Sequence, residues 1–340
     1  MEKMNMVKLA KELNLSVSTV SKALLDSHEI SAKTKERVIE LAKKYNYKPN
    51  KFASSLRKGK SKFIAVIIPE INNNFFSIVV DSINSFAANK EYDLLVYLTH
   101  EKLISEISVM EHLEISRVDG IIMSLCSQTK TYDHIIKFQK DTELPIVFFD
   151  RVTTLEDFPR IITNNYESAF EATMHLFKQG SKIPFYLYSS ELNYINKERH
   201  RGFRDAMIRN GIEETESHCV QCADDWEINY SIIYNLLSSE NPPDAIFASI
   251  EKLAITVYEV AKDLNFKIPQ QLKVISFSNL RTAALLSPSL STVSQPAFEM
   301  GEQSVKLLFK MIEKKFYKNA NDIITINSKL DFRDSTKNSK

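Results

Sequence analysis

The sequence predicts a small all-α headpiece with a hinge helix, joined to an α/β body of two doubly wound parallel-sheet subdomains. Apolar residues recur at helical spacing in three segments before residue 48, whereas short apolar runs alternate with helical patterns from Phe63 onward. The charge divides at the same place. Residues 1–60 carry 14 Lys and Arg against 6 Asp and Glu, a net +8, which leaves −7 for the rest of the chain. A basic end of this kind suits a polyanionic partner.

Composition sets the broad class. A chain of 340 residues with 44% hydrophobic content can fill the cores of more than one domain. No apolar run approaches the ~20 residues that cross a bilayer, and no signal-type segment opens the chain, so we expect a cytoplasmic protein without a membrane partner. Three cysteines fit a reducing compartment better than a disulfide framework.

The basic end has the pattern of a helix-turn-helix. Two short helical segments carry apolar residues at Val7, Leu9, Ala10 and Leu13 and at Val17, Val20, Ala23 and Leu24. The tripeptide "NLS" separates them, and Ser16 is the predicted N-cap of the second. Helices joined by so tight a turn can share one core only by crossing steeply. A third helix, from its N-cap Ser31 to before Pro49, supplies the remaining wall through Val38, Leu41, Ala42 and Tyr45.

The second helix is the predicted DNA-reading element. With its apolar residues turned inward, it presents Val17, Ser18, Ser21 and Lys22 outward. Short hydroxyl side chains let a helix approach phosphates closely, while a lysine can reach a guanine edge in the major groove. The predicted base contacts are Val17, Ser18 and Lys22, and the predicted phosphate contacts are Asn5, Ser16, Thr19, Ser21, Ser31 and Thr34. A three-helix bundle that binds no DNA is the alternative.

The segment "YKPNKFASSLRKGK" (residues 47–60) follows the headpiece. It is too short and too polar to hold a helix by itself, because isolated helices below ~12 residues are marginal in water. Phe52, Ala53 and Leu56 nevertheless form a narrow apolar stripe. Something outside the segment must therefore order it.

Four stretches together resemble one family of regulators. They are "VKLAKELNLSVSTVSKAL", "ISAKTKERVIELAKKYNYKPN", "ASSLRKGKSKFIAVIIPEINNNFF" and, near the C-terminus, "LDFRDS". They are similar to the headpiece, hinge and body of the lactose-repressor/galactose-repressor (LacI/GalR) transcription factors. The resemblance implies paired hinge helices in the minor groove, with Leu56 wedged into the central base step and Asn50 and Ala53 beside it. An apolar wedge of this kind unstacks and bends the duplex.

The same resemblance implies the partners and the architecture. It implies a homodimer, a pseudo-palindromic operator bent at its centre, a sugar-like effector and a periplasmic-binding-protein-like body. The predicted domains are residues 1–49 (headpiece), 50–60 (hinge) and 61–340 (body). Within the body we expect an N-subdomain of about 61–160 plus 294–322 and a C-subdomain of about 161–293 plus 323–335.

The cleft between two parallel sheets is the predicted ligand site, because open α/β sheets bind ligands at the carboxyl ends of their strands. No G-x-G-x-x-G, P-loop, HExxH or GxSxG motif occurs, so we expect no cofactor and no metal. The resemblance places eight residues in this cleft, namely Phe75, Phe76, Asp150, Arg151, Arg199, Trp226, Glu251 and Ser278. Arg199, from "ERHRGF", is the expected polar clamp, and Trp226, from "DDW", the expected aromatic platform.

The chain departs from the family pattern on the ligand side. Asn74 stands where N-P-F-F has proline, Ile250 and Glu251 replace the Asn-Asp pair of A-N-D-x-x-A, and Ser278 replaces the aspartate that usually follows "ISF". These departures make a borrowed ligand identity unsafe.

We therefore predict a DNA-binding transcriptional regulator, a repressor, whose operator affinity a small molecule in the cleft controls. Two alternatives remain open. One is a regulator driven by a protein partner, with the altered cleft left vestigial. The other is an enzyme that uses His218, Cys219 and Cys222, although no nucleophile, base and orienting group can be assembled from their spacing.

Overall fold

A computed structural model describes residues 4–24, 26–47, 60–189, 194–313 and 322–337. The chain divides into two compact units, Met1–Lys62 and Phe63–Lys340. No helix among these residues combines the length and the apolar character that crossing a bilayer requires.

The headpiece contains three helices, α1 (Met6–Leu13), α2 (Val17–Leu24) and α3 (Ala32–Lys44). Leu9, Val20 and Val38 contribute one fully buried side chain from each helix to a common core. The α1–α2 turn is tight because Asn14 adopts the left-handed region at φ 54° and the N–H of Leu15 donates to the carbonyl of Ala10. Helix α3 ends before Tyr45, whose side chain is exposed, and Tyr47 packs on the core instead.

The body begins with a parallel six-stranded sheet in the order β11-β5-β4-β3-β1-β2. Its strands are β1 (Phe63–Ile68), β2 (Asp93–Leu98), β3 (Ile121–Met123), β4 (Ile146–Phe149), β5 (Arg160–Thr163) and β11 (Ile323–Ile326). The helices that cover it are α4 (Asn74–Ala88), α5 (Leu103–Ile115), α6 (Asp133–Thr142) and α11 (Ala297–Glu313). Strand β1 buries Ile64 and Val66 on one face and Ala65 and Ile67 on the other, which explains its unbroken apolar run.

The second sheet has the order β12-β10-β9-β8-β6-β7, parallel except for the β10–β12 pair. Its strands are β6 (Pro184–Ser189), β7 (Cys219–Cys222), β8 (Ala245–Ala248), β9 (Lys273–Phe277), β10 (Ser291–Ser294) and β12 (Lys329–Asp331). The helices on its faces are α7 (Asn165–Lys178), α8 (Tyr194–Arg209), α9 (Trp226–Leu237) and α10 (Glu251–Asp263). We call the two sheets with their helices the first and second lobes.

The strands correct the predicted subdomain limits at two places. Residues 161–163 and 323–326 were assigned to the C-subdomain, but β5 and β11 pair with each other in the first sheet. Strand β5 joins the first sheet because Phe148 and Phe149 of β4 pair with Arg160 and Ile161. The chain therefore changes lobe after β5, between β10 and α11, and between β11 and β12.

His175 of α7 fixes the C-terminal segment to the second lobe. Its ring stacks on Phe332 with 3.6 Å between ring centroids, and its Nε2 lies 2.9 Å from Thr336 Oγ1. Burial, with a smaller contribution from Lys178, lowers the pKa of His175 to about 4. The imidazole is therefore neutral in the folded protein at neutral pH.

The low pKa of His175 predicts acid sensitivity. Because the unfolded chain, with a pKa near 6.5, takes up a proton that the fold excludes, stability should fall as the pH drops from about 6.5 to 4. We expect a contribution of about 1–2 kcal/mol, after allowance for partial exposure. Urea unfolding at pH 7 and pH 5 should show that the free energy of unfolding falls less between these two pH values in His175→Gln than in the natural protein. Equal losses in the two proteins would contradict the assignment.

Candidate functional site

The N-termini of the headpiece helices carry most of the predicted phosphate contacts. Asn5 Oδ1 accepts from the N–H of Lys8 at 2.9 Å and Ser16 Oγ from the N–H of Thr19 at 3.0 Å. Ser31 Oγ accepts from the N–H of Thr34, and the hydroxyls of each Ser–Thr pair are hydrogen-bonded to each other. Three capped helix N-termini offer partial positive charge and remaining backbone N–H groups, which is the chemistry that binds phosphate.

The exposed face of α2 holds two of the three predicted base contacts. Ser18 and Lys22 are exposed and Val17 is half-buried. Ser21 was predicted to face outward, and this is wrong, since only 8% of it is exposed. The reason is its position four residues after Val17 and three before Leu24, which places it on the side of α2 that packs on the core.

Lys22 is not a free cation in the headpiece. Its Nζ forms an ion pair with a carboxylate oxygen of Glu29, and about half of each side chain is exposed. Exposed pairs are worth at most ~1 kcal/mol. An acceptor group of DNA can therefore replace Glu29 as the partner of Lys22 at little cost in free energy. Before DNA binds, the ion pair with Glu29 would hold the Lys22 ammonium group in place. The predicted hinge residues Asn50, Ala53 and Leu56 lie outside the described residues.

A cleft of about 500 Å³ lies between the two lobes, in the size range of small-molecule sites. Loops at the carboxyl ends of strands from both sheets form its walls, as expected for open parallel sheets. Seven of the eight predicted ligand residues line it, namely Phe75, Phe76, Asp150, Arg151, Arg199, Glu251 and Ser278. Their contact with a ligand stays a prediction.

Trp226 does not line the cleft. It begins α9, is 52% exposed, and its Nε1–H donates to Glu259 Oε2 at 3.1 Å. The cap residue Asp225 starts the helix, so the Trp226 ring lies over the outer faces of α9 and α10, next to Tyr230. The prediction of an aromatic platform at Trp226 is corrected, and among the described residues the phenyl rings of Phe75, Phe76 and Phe277 line the cleft.

Arg199 is a buried cation whose hydrogen-bond partners are neutral. Its Nε donates to Asn165 Oδ1 at 2.9 Å and its Nη1 to the carbonyl of Ser249 at 2.8 Å. The guanidinium lies 3.6 Å above the Phe277 ring, an arrangement that favours a flat cation. Burial lowers its pKa to about 10, so it stays charged at neutral pH. Among the described residues, its Nη2 makes no hydrogen bond, which leaves donors for a ligand.

Arg151 is neutralised, in contrast to Arg199. Its Nη1 donates to both carboxylate oxygens of Glu101, at 2.6 and 2.8 Å. Burial alone would lower the pKa of Arg151, but the carboxylates of Glu101, Asp150 and Glu70 together outweigh it and the pKa is raised. Glu101 also accepts from the N–H of Ser127. This pair therefore shapes the first-lobe wall and leaves Arg199 as the less compensated cation.

Asp150 supplies a buried acceptor near both of these cations. Burial raises the pKa of its carboxyl, and Arg151 and Arg199 oppose that rise. Gln295, in the segment between β10 and α11, donates to Asp150 Oδ1 at 3.0 Å. The cleft thus combines guanidinium donors with carboxylate acceptors, the set that binds a hydroxyl-rich molecule.

Three residues of the first-lobe wall have left-handed backbones. They are His100 at φ 51°, Glu101 at φ 60° and Asp150 at φ 58°. Such conformations cost free energy in residues other than glycine and cluster at functional sites. Their place at the ends of β2 and β4 indicates that the loops are shaped for the cleft.

Sequence reasoning missed several residues of the cleft wall. Glu101 and Ser127 follow β2 and β3, and the rule that carboxyl ends of strands meet could have found them. Gln295 follows β10 in the same way, but no apolar run marks that strand in the sequence, and Asn196 lies on α8, where the rule does not apply. Asn74 was noted only as a departure, although it bonds Glu251 in the second lobe.

The Cys-x-x-Cys segment does not form a joint site with His218. Strand β7 sends Cys219 and Cys222 to cores on opposite faces of the second sheet, and His218 Nδ1 pairs with the carbonyl of Pro184 at 3.1 Å. Cys219 instead lies 3.0 Å from His200 Nε2, with Glu216 near both. Burial raises the pKa of Cys219 to about 12, so the thiol is protonated and the contact is an ordinary hydrogen bond.

A helix-turn-helix unit and a two-lobed body with a polar cleft together define a ligand-binding DNA regulator. Residues 5–50 match the model of bacterial regulatory proteins of the lacI family. Residues 61–334 match the model of periplasmic binding proteins and the sugar-binding domain of that family. The chain belongs to the LacI family of bacterial regulatory proteins, and the enzyme alternative is set aside.

Individual relatives are similar to this chain over almost its whole length. Catabolite control protein A of Priestia megaterium is 26% identical over 97% of this chain and 98% of its own length. The ribose operon repressor of Halalkalibacterium halodurans is 29% identical over 90% of each chain. The crystal structure of the lac repressor dimer bound to operator and the anti-inducer ONPF has a TM-score of 0.85 and 19% identity, over 99% of this chain and 100% of that one.

Proposed function

We propose that the protein is a homodimeric transcriptional repressor that binds a pseudo-palindromic operator, bent at its centre, in the bacterial cytoplasm. A hydroxyl-bearing small molecule of the sugar type, bound in the cleft, controls the affinity for DNA. The observation that carries the proposal is Arg199, a buried cation with neutral hydrogen-bond partners, in a cleft closed by two lobes.

The chemistry of the cleft supports a sugar-like effector. Aromatic rings, guanidinium donors and carboxylate acceptors suit the alternating apolar faces and hydroxyl edges of a sugar. The ribose operon repressor among the relatives, and solved structures described with bound ribose and as a cellobiose complex, point the same way. Their ligands are not assumed to be the ligand here, because the departures at Glu251 and Ser278 lie inside the cleft.

Control of DNA binding follows from the two lobes. A ligand that prefers one angle between the lobes shifts the population toward it, and so changes the spacing of the paired hinges. The hinge contacts proposed for Asn50, Ala53 and Leu56 complete this scheme. An apolar wedge at Leu56 costs a few kcal/mol of unstacking, which the contacts of a bent duplex offset.

Two measurements test the proposal. Selection of oligonucleotides from a random pool on the purified protein should return a pseudo-palindrome. Calorimetry against a panel of sugars and nucleosides should then find a compound whose presence changes operator affinity. Failure of the selection to return a pseudo-palindrome would contradict the proposal. If an operator is found but no compound of the panel binds, the protein-partner alternative is favoured.

Two headpiece substitutions should separate base reading from phosphate contact. Lys22→Ala should relax sequence preference at one position of each half-site, by about 1–3 kcal/mol of discrimination. Thr19→Ala should weaken binding to all sequences alike. Binding of both variants to the selected operator and its single-base variants, over a salt series, checks this. If the two proteins lose affinity in the same pattern, the assigned roles are wrong.

A further inference from the structure

Three departures from the family pattern are joined in one hydrogen-bond network. Asn74 Nδ2 donates to Glu251 Oε1 at 3.0 Å. Ser278 Oγ donates to Glu251 Oε2 at 2.9 Å, and the N–H of Asn279 reaches the same oxygen at 3.3 Å. The carboxylate of Glu251 is thus the centre of the network.

The network connects the two lobes. Asn74 is the first residue of α4, in the first lobe, whereas Glu251 begins α10 and Ser278 follows β9, in the second. The hydrogen bonds from Ser278 and Asn279 hold the Glu251 carboxylate toward the cleft, where the Asn74 side chain donates to it.

We propose that Asn74, Glu251 and Ser278 form a latch that holds the lobes in the arrangement described here when no effector is bound. The inference deepens the regulation of the proposed function and rests on it. Hydrogen bonds to a charged group are stronger than neutral ones, so one such bond can shift the equilibrium between lobe arrangements about tenfold. An effector that binds Glu251 must compete with Asn74, and the latch thereby sets both the resting state and the affinity of the cleft.

Proline, the residue that the family pattern has at the position of Asn74, provides a substitution that should not disturb the helix. Asn74 occupies the first helical position after the cap residue Asn73. Proline is well tolerated at this position because its fixed φ suits a helix and the missing N–H has no partner within the helix. Asn74→Pro therefore removes the donor to Glu251 while α4 is kept.

A charge arrangement provides a second, independent variant. Asn74→Asp places a carboxylate against that of Glu251, so the lobes should repel. The double variant Asn74→Asp with Glu251→Gln should restore the bond in the opposite sense, because the new amide donates to the new carboxylate and still accepts from Ser278. A merely structural role of either residue would not predict this recovery.

Distances across the cleft test the latch in the full-length protein without effector or DNA. Spin labels on unnatural amino acids replace the exposed Lys130 and Lys262, one in each lobe, and an excess of unlabelled protein suppresses distances between protomers. The natural protein should give one main distance. Asn74→Pro and Asn74→Asp should each raise the population of a longer distance about tenfold, and the double variant should reverse this. Asn72→Ala, an exposed neighbour in the cleft wall, is the matched control and should leave the distances unchanged.

The outcomes separate the latch from the proposed function. Unchanged distances in Asn74→Pro and Asn74→Asp, or no recovery in the double variant, overturn the latch and leave operator and effector binding untouched. A shift in the expected pattern supports the latch. Because the measurement contains no DNA and no effector, failure of the operator selection would be recognised separately.

Discussion

A Gly202→Ala protein should lose about 2–4 kcal/mol of stability in its body, with a fall of roughly 5–15 °C in the thermal midpoint. A Cβ at Gly202 would lie 2.3 Å from the backbone carbonyl of Tyr166 and 3.0 Å from Ala169 Cβ. Helix α8 therefore approaches α7 more closely than any side chain allows. The carbonyl belongs to the helix backbone, so the clash can be relieved only by separating the two helices.

The sign of this effect makes the test specific. Alanine is the better helix former by about 1 kcal/mol, so propensity alone predicts a stabilised protein. Thermal unfolding followed by circular dichroism would measure the change. Ile208→Ala on the same helix, at a half-exposed position, should change stability by no more than about 0.5 kcal/mol. An unchanged or raised midpoint for Gly202→Ala would contradict the close approach.

An Arg199→Met protein should bind the effector at least about 100-fold more weakly, because a buried charged group that hydrogen-bonds a ligand contributes about 2–5 kcal/mol. Methionine keeps the volume and the contact with Phe277 but removes every donor. Only 4% of Arg199 is exposed, so water cannot replace the lost hydrogen bonds. Operator binding without effector should persist, since the headpiece is unchanged.

Calorimetry with the effector found in the panel would measure this loss. Arg201→Met is the matched control, because that guanidinium lies two residues away with 57% of its side chain exposed. If Arg199→Met lowers effector affinity by less than tenfold, another residue of the cleft is the main polar contact of the effector. Equal losses in the two variants would indicate a general defect of α8.

Much of the fold could be predicted because periodicity reports burial. Two of the short apolar runs after Phe63, "DLLVYL" and "PFYLYS", coincide with β2 and β6, and the predicted headpiece helices correspond to α1, α2 and α3. Strands β10 and β12 are short and polar, so no apolar run marks them, and their pairing with each other joins residues more than 30 positions apart. The same long-range pairing moved β11 to the first sheet.

The candidate site divides in the same way. Arg199 and Asp150 could be placed in the cleft because a resemblance carries residue positions, and chain order fixes which strand ends they follow. Trp226 could not be excluded from it, because the direction of its ring depends on the packing of α9 against α10. Ser21 was misplaced because one helical position at the edge of an apolar face can lie on either side.

By itself the sequence determined the class of the protein: a basic three-helix headpiece, an alternating α/β body, and polar residues after the body's strands. Those properties depend on charge and on the spacing of apolar residues, and both can be read from residues that are close together in the sequence. Only the tertiary structure decided that Asn74, Glu251 and Ser278 meet across the cleft, that Arg151 is neutralised by Glu101, and that Arg199 is not. Residues up to 177 positions apart form these contacts, and only the packed chain brings their atoms within hydrogen-bond distance.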